Sequence, residues 1–348
     1  METLWFAILS GMLAIYVVLD GFDFGVGVLH QVVARNESER QTVLASIEPV
    51  WDGNEVWLIA AGGVLFLAFP KTYASAFSGF YLALTIVLWL LILRGVAITV
   101  RSHHDNPLWR EFWDAVFSVS SALLALVLGT AIGNVVRGVP LNQSGLFFLP
   151  LFTDLRVGPH PGVFDWYTTI VGALALCLLT AHGGFYLVWK TTGAVQERSR
   201  AWTRRAWAVS VPFWVAATAG TFWVRPEVMI NLLHRPWALV FVALMIGGAA
   251  GGFYFLRRGA ELAAFLSSCA VLLGLLGAAM AGNYPYWLRS TLDPAHGLTA
   301  QNTAAGEHGL RIALAWWTVG AALAAAYFFT LFRSFRGKVE HHEHGSGY

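Results

Sequence analysis

The chain has 348 residues, 57% of them hydrophobic and 12% charged, with a net charge of +2 and a mean hydropathy of +0.60. A soluble domain carries roughly 25% charged residues, so this composition excludes a water-soluble globular fold, and the near-neutral balance excludes a nucleic-acid partner. The 16 Trp and 24 Phe fit rings seated at bilayer interfaces, while Cys177 and Cys269 fall inside apolar runs and read as small buried hydrophobes, not a disulfide framework.

Crossing about 30 Å of hydrocarbon takes about 20 apolar residues. Taken in order, the runs of that length are Leu4 to Val33, Ile47 to Phe69, Tyr73 to Val100, Trp113 to Val136, Phe164 to Trp189, Arg205 to Val224, Trp237 to Leu256, Glu261 to Gly282 and Leu310 to Phe332. The first follows Met1-Glu2-Thr3, which lacks the basic segment and cleavage pattern of a signal peptide, so it is expected to remain in the mature protein. Between the runs, 138–163 and 283–309 are rich in proline and read as loops. The expectation is an all-α polytopic membrane protein with nine transmembrane helices.

Basic residues orient these spans. The odd-numbered connections and the C-terminal tail hold fourteen of the 22 Lys and Arg, the even-numbered ones hold seven, and Arg94 lies within the third span. Because cytoplasmic loops carry the excess, the N-terminus is expected outside and the C-terminus in the cytoplasm. A faint repeat links Asp20-Gly21-Phe22-Asp23-Phe24-Gly25 in span one to His182-Gly183-Gly184-Phe185-Tyr186 in span five. A spacing of four spans gives two four-helix units plus one extra helix. The divisions are 1–140, the first unit; 141–283, an outside loop and the second unit; and 284–348, an outside loop, the ninth helix and a cytoplasmic tail.

The chemistry gathers around Glu48-Pro49-Val50-Trp51-Asp52-Gly53-Asn54-Glu55-Val56-Trp57. Read as helix, this places Glu48, Asp52 and Glu55 on one face. An ionisable side chain below the headgroups costs about 2.5 to 3.5 kcal/mol on insertion scales and survives mainly where it faces protein or water. At 1.5 Å per residue, Asp20 lies about 24 Å along span one, Asp52 roughly 7 Å into span two, and Arg94 about 31 Å along span three. With Asp23 one turn beyond Asp20, the residues Asp20, Asp23, Asp52, Glu55 and Arg94 share one depth near the cytoplasm. Two readings fit this set: a hydrated proton path in which Arg94 holds a carboxylate ionised, and an ion-pair network that ties the first three helices together.

Only His30 and His182 lie clearly inside spans, too few with Met12, Met245 and Met280 to ligate several haems, although counting leaves a single haem open. The sequence His341-His342-Glu343-His344 reads as a tail with at most weak metal binding. No phosphate loop, dinucleotide fingerprint or zinc spacing is present.

The segments Asp20 to Gly25, Trp51-Asp52-Gly53-Asn54-Glu55-Val56-Trp57, Phe66 to Pro70 and Tyr73 to Tyr81, in this order and spacing, resemble subunit II of cytochrome bd-type quinol oxidases. The match is specific over about the first 140 residues, through Gly133-Asn134 and Gly138-Val139-Pro140. The resemblance implies a subunit of a bacterial inner-membrane terminal oxidase, a proton-translocating quinol:oxygen oxidoreductase that oxidises ubiquinol or menaquinol and reduces oxygen to water. It implies that haem b and haem d and the quinol loop sit on a partner, subunit I, with none assigned to this chain. It further implies a nine-helix body beside that partner, membrane lipids, quinone and small single-helix accessory subunits as neighbours, and a role for Asp52 in the cytoplasmic proton route. The rival functions are a proton-coupled secondary transporter and a purely structural assembly subunit.

Overall fold

The computed structural model describes residues 1–339, so the histidine-containing tail lies outside the described residues. Thirteen helices account for most of the described chain: α1 (Glu2–Val33), α2 (Glu37–Ile47), α3 (Trp51–Ala68), α4 (Pro70–Gly79), α5 (Tyr81–Val100), α6 (Pro107–Arg137), α7 (Trp166–Lys190), α8 (Gly193–Val224), α9 (Pro226–Leu233), α10 (Leu239–Arg258), α11 (Glu261–Asn283), α12 (Ala300–Thr303) and α13 (Glu307–Ser334). A short antiparallel ribbon lies in the last long loop, β1 (Tyr286–Leu288) against β2 (Leu298–Thr299).

Eight of these helices, α1, α5, α6, α7, α8, α10, α11 and α13, are long and apolar enough to cross a membrane. The chain is therefore an all-α, multi-pass membrane protein. The second expected span corresponds to α3, which falls short of that criterion for a chemical reason: its first turn is Trp51-Asp52-Gly53-Asn54-Glu55. The third expected span is split at Phe80 into α4 and α5, where the Gly79 carbonyl accepts from the Leu149 amide at 3.0 Å and a Cβ on Gly79 would lie 2.2 Å from the Phe147 ring.

The helix α1 forms the axis of the molecule, with α3, α6, α7 and α11 packed around it. Without a hydrophobic drive between helices in lipid, close backbone approach must supply the dispersion energy, and small residues make it possible. Gly25 on α1 and Gly183 on α7 show this directly. A Cβ on Gly25 would lie 1.9 Å from the Leu179 carbonyl oxygen, and one on Gly183 would lie 2.3 Å from backbone atoms of Gly25 and Val26. The two glycine-aromatic segments singled out by the repeat thus meet face to face. Phe22 stacks on Tyr186 beside this crossing, at 4.1 Å between ring centroids.

One end of the bundle is tied by ion pairs. Asn36 caps α2 by accepting from the Glu39 amide, and Glu37 then receives two hydrogen bonds from Arg101, at 3.0 and 2.8 Å. Burial raises the Glu37 pKa, but the Arg101 hydrogen bonds and charge outweigh it and hold the carboxyl below its usual range. Glu39 is likewise lowered: burial opposes ionisation, and the Arg198 contact at 2.6 Å prevails.

Candidate functional site

Three helices build the buried polar centre. On α1, Asp20 and Asp23 are one turn apart and both are buried. On α5, Arg94 is fully buried and donates through Nη2 to Asp20 Oδ1 at 2.7 Å and to Glu55 Oε1 of α3 at 2.8 Å. Its guanidinium also lies 4.6 Å above the centre of the Phe24 ring. One cation thus bridges two carboxylates from two different helices, which fixes α1, α3 and α5 in register.

Exposure is graded along this set. Asp52 is exposed at the start of α3, the Glu55 side chain is 24% exposed, and those of Asp20 and Asp23 are buried. The structure therefore brings together Asp20, Glu55 and Arg94, holds Asp23 beside them, and leaves Asp52 at the surface one turn from Glu55. Glu48, expected on the same face, is also exposed.

Asn54 was legible only as part of the motif, and its task is tertiary. Fully buried, it donates from Nδ2 to Asp23 Oδ2 at 2.8 Å and to the Leu19 carbonyl at 3.3 Å. Tyr16, one turn before Asp20, stands beside the Asp20 carboxylate. Several buried polar atoms here have no protein partner: Asp20 Oδ2, Asp23 Oδ1, Asn54 Oδ1, and Nε and Nη1 of Arg94. Buried polar atoms are satisfied by protein or by water, so acceptors and donors converge here in a pattern suited to internal water.

A second buried carboxylate, Asp114 on α6, lies near the same end. It accepts from His30 Nε2 at 2.6 Å, from Arg101 Nε at 2.6 Å and from Arg40 Nη1 at 3.1 Å. Three cationic or donor groups saturate this carboxylate, which makes it a structural junction of α1, α2, the α5 end and α6. Its only sequence signal is an acid two residues into the fourth expected span, because its partners lie up to 84 positions away.

A family model described as Cytochrome bd terminal oxidase subunit II matches residues 1–335. The chain belongs to that family. A probable cytochrome oxidase subunit 2 of Haemophilus influenzae is 29% identical over 97% of this chain and 94% of the relative. The cytochrome bd ubiquinol oxidase subunit 2 of Bacillus subtilis is 29% identical over 99% and 98%. The cytochrome bd-I ubiquinol oxidase subunit 2 of Escherichia coli reaches 38% identity, over 57% of this chain and 51% of the relative. The bd oxidase structure from Geobacillus thermodenitrificans contains a chain with the same fold, at a TM-score of 0.77 and 19% identity, covering 96% of this chain and 98% of that one.

Oxidases of this type are haem-based, so the fit of a haem to this chain can be tested on its own side chains. Both ring nitrogens of His182 are engaged, Nε2 with the Val18 carbonyl at 2.9 Å and Nδ1 with Ser268 Oγ at 2.7 Å. His30 uses Nε2 on Asp114, and its Nδ1 is buried without a hydrogen-bond partner. Met12 Sδ accepts from Trp317 Nε1 at 3.5 Å. Two grooves of about 580 and 600 Å³ are lined mainly by apolar and small residues and by no histidine. Among the described residues no three His, Cys, Asp or Glu are grouped to hold a metal ion. His182 and Met12 are therefore committed to protein partners and do not fit as haem ligands.

Proposed function

We propose that this chain is the haem-free subunit of a membrane-bound quinol:oxygen oxidoreductase, that it packs beside a haem-bearing subunit I, and that it takes up protons for oxygen reduction from the cytoplasm. The observation that carries this reading is the inward row of carboxylates from exposed Asp52 through partly exposed Glu55 to buried Asp20 and Asp23, with unpartnered carboxylate oxygens at the buried end. Arg94 supplies one positive charge shared by Asp20 and Glu55. Asn54 holds Asp23 in place beside it.

The same reading makes α3 the ninth crossing, with its polar first turn in the cytoplasmic interface, the N-terminus outside and the C-terminus inside. It assigns α1, α3, α5 and α6 to one four-helix unit, α7, α8, α10 and α11 to a second, and α13 to the extra helix. The packing pattern supports this: α1 meets α11 as α7 meets α6, and the Gly25/Gly183 crossing lies between the units. A symmetric transporter site is less well supported, since the second unit carries His182 where the first carries carboxylates.

The test is oxygen consumption per haem in the purified two-subunit complex. Asp52→Asn keeps shape and hydrogen-bonding atoms but removes the titrating group. It is expected to assemble with full haem content and to turn over slowly, and Asp52→Glu is expected to recover part of the rate. Normal turnover in Asp52→Asn removes the proton role, and loss of haem or of the complex assigns Asp52 to structure instead.

A further inference from the structure

At the end of the bundle where α6, α8 and α11 terminate, four guanidiniums gather with two carboxylates. Arg137 is fully buried and spent: it donates to Asp165, to Asn134 Oδ1 at 2.6 Å and to the carbonyls of Gly138 and Gly162. Arg235 is also spent, its terminal nitrogens donating to the Ala281 and Tyr284 carbonyls at the end of α11.

Arg225 and Arg289 are different. Arg225 uses only Nε, on the Arg137 carbonyl at 2.5 Å. Arg289 uses Nε on Asn283 Oδ1 at 2.9 Å and Nη2 on the Asn283 carbonyl at 3.4 Å, and lies 4.2 Å over the Tyr286 ring. Both terminal nitrogens of Arg225 and Nη1 of Arg289 make no hydrogen bond to the described residues, and both side chains are half-buried. Burial pushes the Arg289 guanidinium down from its usual range, and the neighbouring Arg225 and Arg235 charges act in the same direction, with exposed Glu227 the nearby counter-charge. Positive charge here exceeds what the protein neutralises.

Exposed apolar and aromatic residues flank Arg225 and Arg235 in the chain, with Leu233 and Trp237 each two residues from Arg235. Trp223, two residues before Arg225, is 85% exposed, and Leu233 and Trp237 are 62% and 60% exposed. Aromatic rings of this kind sit at the headgroup level of a bilayer, with the acyl chains on one side and water on the other. Free guanidinium donors beside such a belt match a phosphodiester above two acyl chains.

We propose that Arg225 and Arg289 bind the phosphate of an anionic phospholipid, whose acyl chains lie along Trp223, Leu233 and Trp237. The two arginines set the preference for a lipid with net negative charge, and the Glu227 carboxylate weakens it. The site is distant in the sequence and in the bundle from the Asp20/Glu55/Arg94 centre and does not depend on the proton role.

The test is native mass spectrometry of the purified two-subunit complex with phosphatidylglycerol and with phosphatidylcholine of the same acyl chains. The wild type is expected to retain phosphatidylglycerol preferentially, and Arg225→Gln/Arg289→Gln to lose about tenfold in that retention, the effect of removing charge-assisted hydrogen bonds. Glu227→Gln, which leaves both arginines in place, is expected to bind phosphatidylglycerol more tightly, and it decides the matter if the double variant fails to assemble. Equal retention of the two lipids by the wild type, undiminished preference in the double variant, or no gain in Glu227→Gln overturns the proposal. Displacement of phosphatidylglycerol by inorganic phosphate assigns the site to a soluble anion and overturns the lipid assignment.

Discussion

Replacing Arg94 by leucine isolates the energetic centre of the site. Its Nη2 lies 2.7 Å from Asp20 and 2.8 Å from Glu55, and at an effective dielectric of about 20 each contact is worth about 6 kcal/mol of attraction. Most of that offsets the cost of taking the charges out of water, so the net value of the pair is far smaller than the attraction. What the substitution exposes is the asymmetry. Glu55 still reaches water through its 24% exposed side chain, whereas Asp20, fully buried, is left without a counter-charge. Removing one partner of a buried pair costs roughly 3 to 5 kcal/mol, on the order of a hundredfold or more in a folding equilibrium. Arg94→Leu is therefore expected to lower the yield of assembled complex and its thermal midpoint sharply. Arg94→Leu/Asp20→Leu, which removes both charges, is expected to recover much of the loss. Yield after solubilisation, thermal unfolding and haem per complex are the measurements. Normal assembly and turnover of Arg94→Leu, or a double variant no better than the single one, would refute the reasoning.

Gly183→Ala pushes a Cβ into the α1 backbone and is expected to cost about 1 to 3 kcal/mol of packing, read as a lower thermal midpoint, while Gly320→Ala, with open space around it, should change nothing. Glu37 and Glu39 have lowered folded-state pKa values, so their stabilising effect is complete above the usual glutamate value of 4.5 and is lost as the pH falls through the lower folded values; acid titration of the complex followed by unfolding should show this loss, and Glu37→Gln should flatten it. The chain purified without its partner is expected to show no stoichiometric haem in a reduced-minus-oxidised spectrum, and a full haem signal would overturn the side-chain fit.

Much of the fold was legible because lipid imposes a length rule on apolar runs, and that rule needs no tertiary information. The positions of α1, α6, α7, α10, α11 and α13 follow from it to within a few residues. The rule is silent where ends are set by distant contacts. At the break at Phe80 the Gly79 carbonyl accepts from the Leu149 amide, 70 positions on, and nothing in Tyr73 to Val100 announces it. The helix α2 is too short and polar for a length rule, yet Asn36 followed by Glu37 and Glu39 is a helix-start pattern that could have found it. The ribbon at Tyr286 and Thr299 joins residues that carry no hairpin spacing.

The site divides in the same way. Shared depth, computed from helical rise alone, brought Asp20, Glu55 and Arg94 together, and the contacts of Arg94 with both carboxylates join the three. Depth cannot tell which face a side chain takes. For that reason Asp52 and Asn54, two positions apart in the same turn, were indistinguishable by level, although one is exposed and the other buried against Asp23. This difference separates the two readings of the motif. An ion-pair network needs only the buried members, and Arg94 with Asp20 and Glu55 already completes it. Asp52 adds nothing to that network: it is exposed and no hydrogen bond from it closes on the described residues. An acid held at the surface one turn from a partly buried acid, with buried carboxylate oxygens still unpartnered beyond, is the arrangement on which the proposed proton uptake rests, and the turnover of Asp52→Asn decides between it and the ion-pair network.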